Sequence, residues 1–558
     1  MRKKLSIAAS CLLAISVILA GCSGNNGNAG ESSGASAPAS GAASNASSGP
    51  VTIRIFAQQG TDQDLATNTF TKLVEEKLNV KFEWTTVPQD GAAEKRQISL
   101  ASGDYPDMYL LIPWIDQFSQ TDLVRYSSQG VIVPLNDLID KYAPNIKAVL
   151  DSTPYYKAMN TAPDGNIYGL TQLSECYHCS YPNKMWLNTK WLEQLNLKMP
   201  ATTDEFRDVL RAFKTQDPNG NGAADEVPLS GSTETFGVHV IPFLMNGFIY
   251  NDDRTYLTMN GGKVDLAANK SEWKEALAYI KSMYDEGLID PGAFTQTAEA
   301  FQKIGENADA QLLGAGAGMH PAIFVNTAEG NRYGNDYNPL APLTGPHSSY
   351  ASFNYPISAG ASFVLTNKAS EETRIAAIKV MDYIFTEEGM RLGTYGPENL
   401  GWRLPAEGEI ALDESVKPSF STIPLKDGEK PRNDAWGSMS QFNDSKAFRG
   451  AQVSATDIYS PSGYERRLFQ ATQLYDGKQP PEVFPHWAVW IDPSVADEAS
   501  MMQTNIKNYV DQNALQFITG NKNLDKDWDA YVKGFDGLNL QGYLDIMQQA
   551  VDVSTISQ

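Results

Sequence analysis

The chain has 558 residues, with 44 Lys and Arg against 66 Asp and Glu, and a formal charge of −22. Basic residues cluster only at the N-terminus, so nucleic acid and electrostatic attachment to anionic membranes are excluded as partners; the acidity accounts for solubility and leaves a ligand's charge open. Ordinary hydrophobic content (42%) with 25 Tyr and 10 Trp describes a globular protein, too long for one compact core.

Arg2, Lys3 and Lys4 precede an apolar run over 5–20, broken by Ser6, Ser10, Cys11 and Ser16. This layout predicts a secretory signal peptide over 1–21, the run being too short and too interrupted for a spanning helix. Leu19-Ala20-Gly21-Cys22 resembles a bacterial lipobox, which implies lipidation (palmitate among the acyl groups) at Cys22; the alternative is an ordinary signal peptide whose Cys22 has no role. Residues 22–50 are almost all Ser, Gly, Ala and Asn, a composition that cannot bury enough apolar surface to fold and reads as a flexible tether.

Val51-Thr-Ile-Arg-Ile-Phe56 alternates like a strand. A helix is predicted over 63–78, a strand over 79–84, a helix over 91–101 and a buried parallel strand over 108–112. Strand and helix in alternation predict an α/β lobe around a parallel sheet. Only Cys176 and Cys179 remain in the folded part, in Cys-Tyr-His-Cys. Outside a cell they suit a local disulfide or two free thiols; zinc would need two more ligands with only His178 near, and a redox motif lacks its usual βαβ start.

Ser102-Gly-Asp-Tyr-Pro-Asp107 before Met108-Tyr-Leu-Leu resembles the helix-to-strand turn of the extracellular solute-binding proteins that serve sugar ABC importers. Val133-Pro-Leu-Asn-Asp-Leu-Ile-Asp140, Asp164-Gly-Asn-Ile-Tyr-Gly169, the segment from Trp186 to Pro200 and Thr202-Thr-Asp-Glu-Phe206 continue the resemblance in order. Phe517-Ile-Thr-Gly520 and Trp528-Asp-Ala-Tyr531 are similar to the terminal helices of large Gram-positive members. The resemblance implies a two-lobed periplasmic-binding-protein type II-like α/β fold with hinge strands and an interlobe cleft. The lobes it implies are 51–170 with 358–435, and 171–352 with 440–558. A strand over 361–365 and a helix over 370–386 agree with a return crossing.

Residues 217–226 place oxygen side chains at alternating positions of a Gly-containing loop, as Ca²⁺ requires. The loop is similar to an EF-hand but closes early, since its twelfth position is Pro228. The shortened pattern resembles the calcium site of the alginate-binding solute receptors. Carried over, that resemblance implies Asp217, Asn219, Asn221, the Ala223 carbonyl, Asp225 and Glu226 as ligands of a structural Ca²⁺; the alternative is an Asn/Gly turn without metal.

No nucleophile elbow, zinc-protease helix or phosphate loop is present, and five scattered histidines carry no catalytic pattern. The resemblance therefore implies a lipid-anchored binding component on the outer face of the membrane, monomeric, working with ABC permease subunits. Its ligand would be an oligosaccharide, delivered chemically unchanged, and the shared calcium loop leans toward one that contains uronic acid. The rivals are a secreted polysaccharide hydrolase or lyase, and a solute-sensing receptor without transport. Position near predicted crossings and strand ends nominates Trp114, Tyr168, Trp186, Tyr355, Trp402 and Trp436 for sugar stacking, with Arg332 and Arg403 for a carboxylate.

Overall fold

The computed structural model describes residues 49–234, 237–355, 357, 359–425 and 428–554. The predicted signal peptide, Cys22 and nearly all of the tether lie outside these residues. Two four-stranded sheets organise the described chain.

In the first sheet, strands run in the order Phe363–Leu365, Met108–Leu110, Val51–Gln59, Val80–Pro88. Val51–Gln59 pairs in parallel with both neighbours, placing Ile55 beside Trp84 and Met108, while Phe363–Leu365 is antiparallel. Ile53, Ile55, Ala57, Met108 and Leu110 bury one face against helices Thr69–Leu78 and Glu371–Ile384; Phe56, Tyr109 and Leu111 bury the other. A sheet covered on both faces accounts for the nearly unbroken apolar run at 108–112.

The second sheet runs Tyr337–Leu340, Met185–Asn188, Leu313–Ala317, Val227–Ser230, with only the last two strands parallel. Its main core takes in helices Thr203–Thr215 and Ser271–Asp285 and the C-terminal helices Ala496–Ile518, Leu524–Gly534 and Leu540–Asp552. Thr202 caps the first of these helices: its hydroxyl accepts from the Glu205 N–H while the Glu205 carboxylate accepts from the Thr202 N–H.

Several predicted boundaries shift: the strand expected over 79–84 runs Val80–Pro88, the one over 108–112 ends at Leu110, and two shifts have a local cause. The helix expected over 63–78 begins at Thr69, because the Asn68 side chain accepts from the Phe70 and Thr71 N–H groups and fixes the start there. The strand expected over 361–365 begins at Phe363, since Ala361 makes only an isolated antiparallel bridge to Phe118. Cys176 and Cys179 are joined in a disulfide. Among the described residues no helix is long and apolar enough to cross a membrane.

Candidate functional site

The parallel strands of the first sheet end together at Gln59, Pro88 and Leu110, the edge at which open α/β sheets bind ligands. The chain leaves Leu110 through Ile112, whose N–H donates to Gln58 Oε1 (2.6 Å), while Gln58 Nε2 is buried with no acceptor. Trp114 follows with its side chain 57% exposed. Behind it the Arg96 guanidinium lies over the Phe118 ring and donates twice to the Asp116 carboxylate (2.7 and 2.9 Å), fully buried, which pins the loop. On the second sheet, Lys184 opens strand Met185–Asn188 and donates to the His178 and Tyr181 carbonyls. Burial pulls its ammonium down to about 7.

Four segments meet between the sheets. Leu173–Ser174 pairs in parallel with Asn443–Asp444. The Asn354 N–H donates to the Ser180 carbonyl (2.9 Å), and the Ala359 N–H to the Trp487 carbonyl (2.7 Å). The Tyr355 ring stacks on Tyr155 at 4.2 Å and meets the Trp487 ring at 4.9 Å. Tyr155 itself donates to Glu175 (2.7 Å). Asn354 Oδ1 and His486 Nε2 share a hydrogen bond of 2.8 Å, and Asn183 donates to Asp253 (3.3 Å).

Here buried polar atoms are left over. Asn183 Oδ1, Asn354 Nδ2, His486 Nδ1 and Trp487 Nε1 have no partner. Each such atom costs about 1–3 kcal/mol relative to a paired one, so a ligand group, water or lobe movement that reaches them is rewarded. The leftover groups are neutral amide, imidazole and indole, since burial holds His486 far below its ordinary range. With Tyr155, Tyr355 and Trp487 beside them, the junction offers aromatic surface and uncharged hydrogen-bonding groups together.

The calcium-like loop lies elsewhere, between helix Thr203–Thr215 and strand Val227–Ser230. Asp217 turns through a left-handed conformation (φ 47°), as do Gly220 and Gly222, curling the loop. The Asp217 carboxylate accepts from the Asn221 and Gly222 N–H groups; the Asn219 and Asn221 amides donate to Asp225. Glu226 Oε1 is buried without a partner, and burial together with the Asp225 and Asp217 charges raises its carboxyl above the usual range. An unpaired Glu226 oxygen that feels the Asp225 and Asp217 charges leaves the loop an unsatisfied acceptor, and its oxygen-bearing side chains are of the type that suits Ca²⁺.

The nominated cleft residues scatter. Trp114 stands exposed at a strand end and Tyr355 stacks in the junction. Tyr168 sits on the first sheet's outer core and donates to Asp164. Trp186 is fully buried under the second sheet, its indole donating to the Gly318 carbonyl, so neither ring face is open; an apolar strand neighbour claims it as core. Trp436 is likewise core, donating to Thr71, and Trp402 packs below Arg391 and donates to Gly396. Arg332 lies on the Tyr333 ring and donates to the Ala308 carbonyl, and Arg403 is held bidentately by Glu409 (2.6 and 2.8 Å), so both guanidinium groups are already engaged.

A family model described as bacterial extracellular solute-binding protein matches residues 60–391, more than half of the chain. The chain belongs to this family. It is 31% identical over 499 residues to the fructooligosaccharide ABC transporter substrate-binding protein FusA of Streptococcus pneumoniae serotype 4, covering 86% of each protein. Solved structures of FusA superpose with a TM-score of 0.66 over 91% of this chain and all of FusA; one, at 27% identity, holds kestose, and another, at 26%, is an EF-hand mutant with fructo-nystose. An extracellular solute-binding protein of Bifidobacterium longum subsp. infantis superposes with a TM-score of 0.73 at 21% identity over 91% of this chain, a likeness of fold.

Asn183, Asn354, His486 and Trp487, whose unpaired polar atoms the fold brings to the junction, were not singled out from the sequence. The signal available was Phe484-Pro-His-Trp-Ala-Val-Trp490, an aromatic run with neither helical nor strand period. Trp490 packs in a core of the first sheet and Ile491 against the main core of the second, so this run passes from one to the other.

Proposed function

We propose that the protein is the substrate-binding component of an ABC importer, that it captures a neutral oligosaccharide at the junction around Asn183, Asn354, Tyr355, His486 and Trp487, and that it performs no chemistry on the sugar. The relationship to FusA, over 86% of each chain, carries this reading. The neutral, partly unpaired groups beside stacked aromatic rings support it, because sugars present hydroxyls at their rims and C–H surface on their faces. Trp114 is taken as a stacking residue contributed by the first lobe. Engagement of Arg332 and Arg403 by other groups favours a neutral sugar over a uronic acid.

The lobes are taken as 51–170 with 358–435 and 171–352 with 440–558. Sugar bound to one lobe draws the other onto it, and the closed form is what permease subunits recognise; the shift is limited by the sugar's differential affinity for the two forms. The protein acts as a monomer, held by lipid at Cys22 after removal of 1–21, with 22–50 as its tether. Asp217, Asn219, Asn221, the Ala223 carbonyl, Asp225 and Glu226 would hold Ca²⁺, which neutralises their carboxylates and stiffens the loop without touching the sugar.

The test is a thermal-shift panel of the purified protein with fructo-oligosaccharides, other neutral oligosaccharides and oligogalacturonates. A ligand at a hundred times its Kd adds about 2.7 kcal/mol of stability. A saturable shift with neutral sugars alone is the expected result. A shift with oligogalacturonates alone overturns the neutral assignment, and a shift with no sugar at all overturns the oligosaccharide reading.

A further inference from the structure

The Cys176–Cys179 pair stands between Glu175 and Ser180, which reach the junction, and neither cysteine is among the groups assigned to the sugar. Cys176 is buried, Cys179 and His178 partly so, and one ligand atom from each of the three lies within 4.8 Å of the other two. Cys176 Sγ is 3.5 Å from His178 Nε2. Zinc with bonds of about 2.3 Å to sulfur and 2.0–2.1 Å to nitrogen at tetrahedral angles sets its ligand atoms roughly 3.5–3.8 Å apart, so the imidazole already stands at ligand distance from the sulfur. The other ring nitrogen, Nδ1, faces the Glu465 carboxylate at 3.6 Å, the arrangement that orients metal-bound histidines. The Arg449 guanidinium, which lines one cavity with His178 and Glu465, favours thiolates. Glu465, and Asp444 on Arg449 (2.7 Å), supply the opposing charge.

We infer that opening the Cys176–Cys179 disulfide creates a binding site for a soft divalent cation such as zinc, formed by both thiolates and the His178 imidazole, with Glu465 orienting the ring. The reductant is a dithiol. Its thiolate attacks Cys179 Sγ, the more accessible sulfur, forming a mixed disulfide and releasing Cys176 as a thiolate beside His178. The second thiol of the reductant then attacks the mixed disulfide, closes into a cyclic disulfide and frees Cys179. Two electrons pass from dithiol to protein, and zinc displaces the two protons that the cysteines would otherwise carry. A water takes the fourth position. The site makes cation occupancy at this crossing depend on thiol oxidation state.

The experiment titrates Co²⁺ into purified protein, either oxidised or reduced with dithiothreitol that is then removed without air. The reduced protein should take up one equivalent with a thiolate-to-cobalt charge-transfer band that zinc bleaches; the oxidised protein should give no band. Cys176→Ser/Cys179→Ser should give none while keeping its circular dichroism spectrum, which separates a lost site from a lost fold. His178→Ala should weaken binding, and Glu465→Gln should lower affinity about tenfold or more. No band in the reduced protein, or an undiminished band in the double serine variant, overturns the site; unchanged affinity in His178→Ala overturns the role given to the imidazole. Oxygen ligands in the calcium-like loop cannot give the thiolate band, so cobalt bound there is not mistaken for this site.

Discussion

Trp487 and Asn354 set the residue scale. Trp487 presents its ring to Tyr355 and Phe353 and leaves its indole N–H unpaired, while Asn354 spends its carbonyl on His486 and keeps its amide N–H groups free. Losing one hydrogen bond to a sugar hydroxyl is worth about 0.5–1.5 kcal/mol. Asn354→Ala is therefore expected to weaken sugar binding by roughly threefold to tenfold, and Trp487→Ala, which also removes stacking surface, by more. Trp186→Phe, in the core, should leave affinity unchanged and lower only the melting temperature. Calorimetric titration of the three variants checks this, and equal affinity losses in all three would contradict the placement of the site.

The histidines give a pH dependence at the same scale. Burial holds His486, His178 and His320 below the ordinary imidazole value, while Asp253 overcomes burial and raises His239. As pH falls through about 6.5, the unfolded chain takes up protons at the first three and the folded protein does not. Stability should then fall by about 1.4 kcal/mol per pH unit for each such group, until its folded pKa is reached. His239 acts oppositely: its contribution is present below about 6.5 and lost as pH rises through its raised value. Three against one predicts a lower melting temperature at pH 5 than at pH 7, with a shallower slope in His486→Gln. A slope unchanged by His486→Gln would show that this imidazole is not buried neutral.

At the scale of elements, the loop 217–226 links helix Thr203–Thr215 to edge strand Val227–Ser230. A cation there ties the helix end to the second sheet. Saturating Ca²⁺ is expected to stabilise the protein by a few kcal/mol (about 2.7 at a hundred times Kd), and a chelator should remove that gain. Asp225→Asn should abolish the calcium-dependent part of the melting shift, leaving sugar affinity intact because the loop is remote from the crossings. A calcium shift that survives in Asp225→Asn would reject this ligand set. The loop could be nominated from the sequence because all its proposed ligands fall within ten consecutive residues. The helix cap at Thr202 was legible for the same reason.

For the whole molecule, legibility followed locality. The strands 51–59 and 108–110 and the helix 371–384 follow from residues a few places apart, through alternation, apolar runs and caps. The cleft does not. Its groups come from positions near 183, 354 and 486, brought together by chain crossings with no local period to announce them. Large aromatics near predicted crossings were poor guides, because a two-lobed protein of this size also needs Trp186, Trp402 and Trp436 to fill its cores. The arginines failed for a related reason: a guanidinium near a strand end is as readily held by a neighbouring carboxylate, as Glu409 holds Arg403, as by a ligand. Burial and the remaining unpaired atoms, both properties of the folded chain, separated these cases.

The cleft is proposed to bind an oligosaccharide and to return it unchanged. Calorimetric titration of short fructo-oligosaccharides into the purified protein, with chromatography of the sugar recovered afterwards, tests it most directly. Saturable binding of one sugar per chain, with the recovered sugar intact, is the predicted result. Cleaved sugar would make the protein an enzyme, and the absence of binding heat at any attainable concentration would remove fructo-oligosaccharides as its ligand and contradict the reading drawn from FusA.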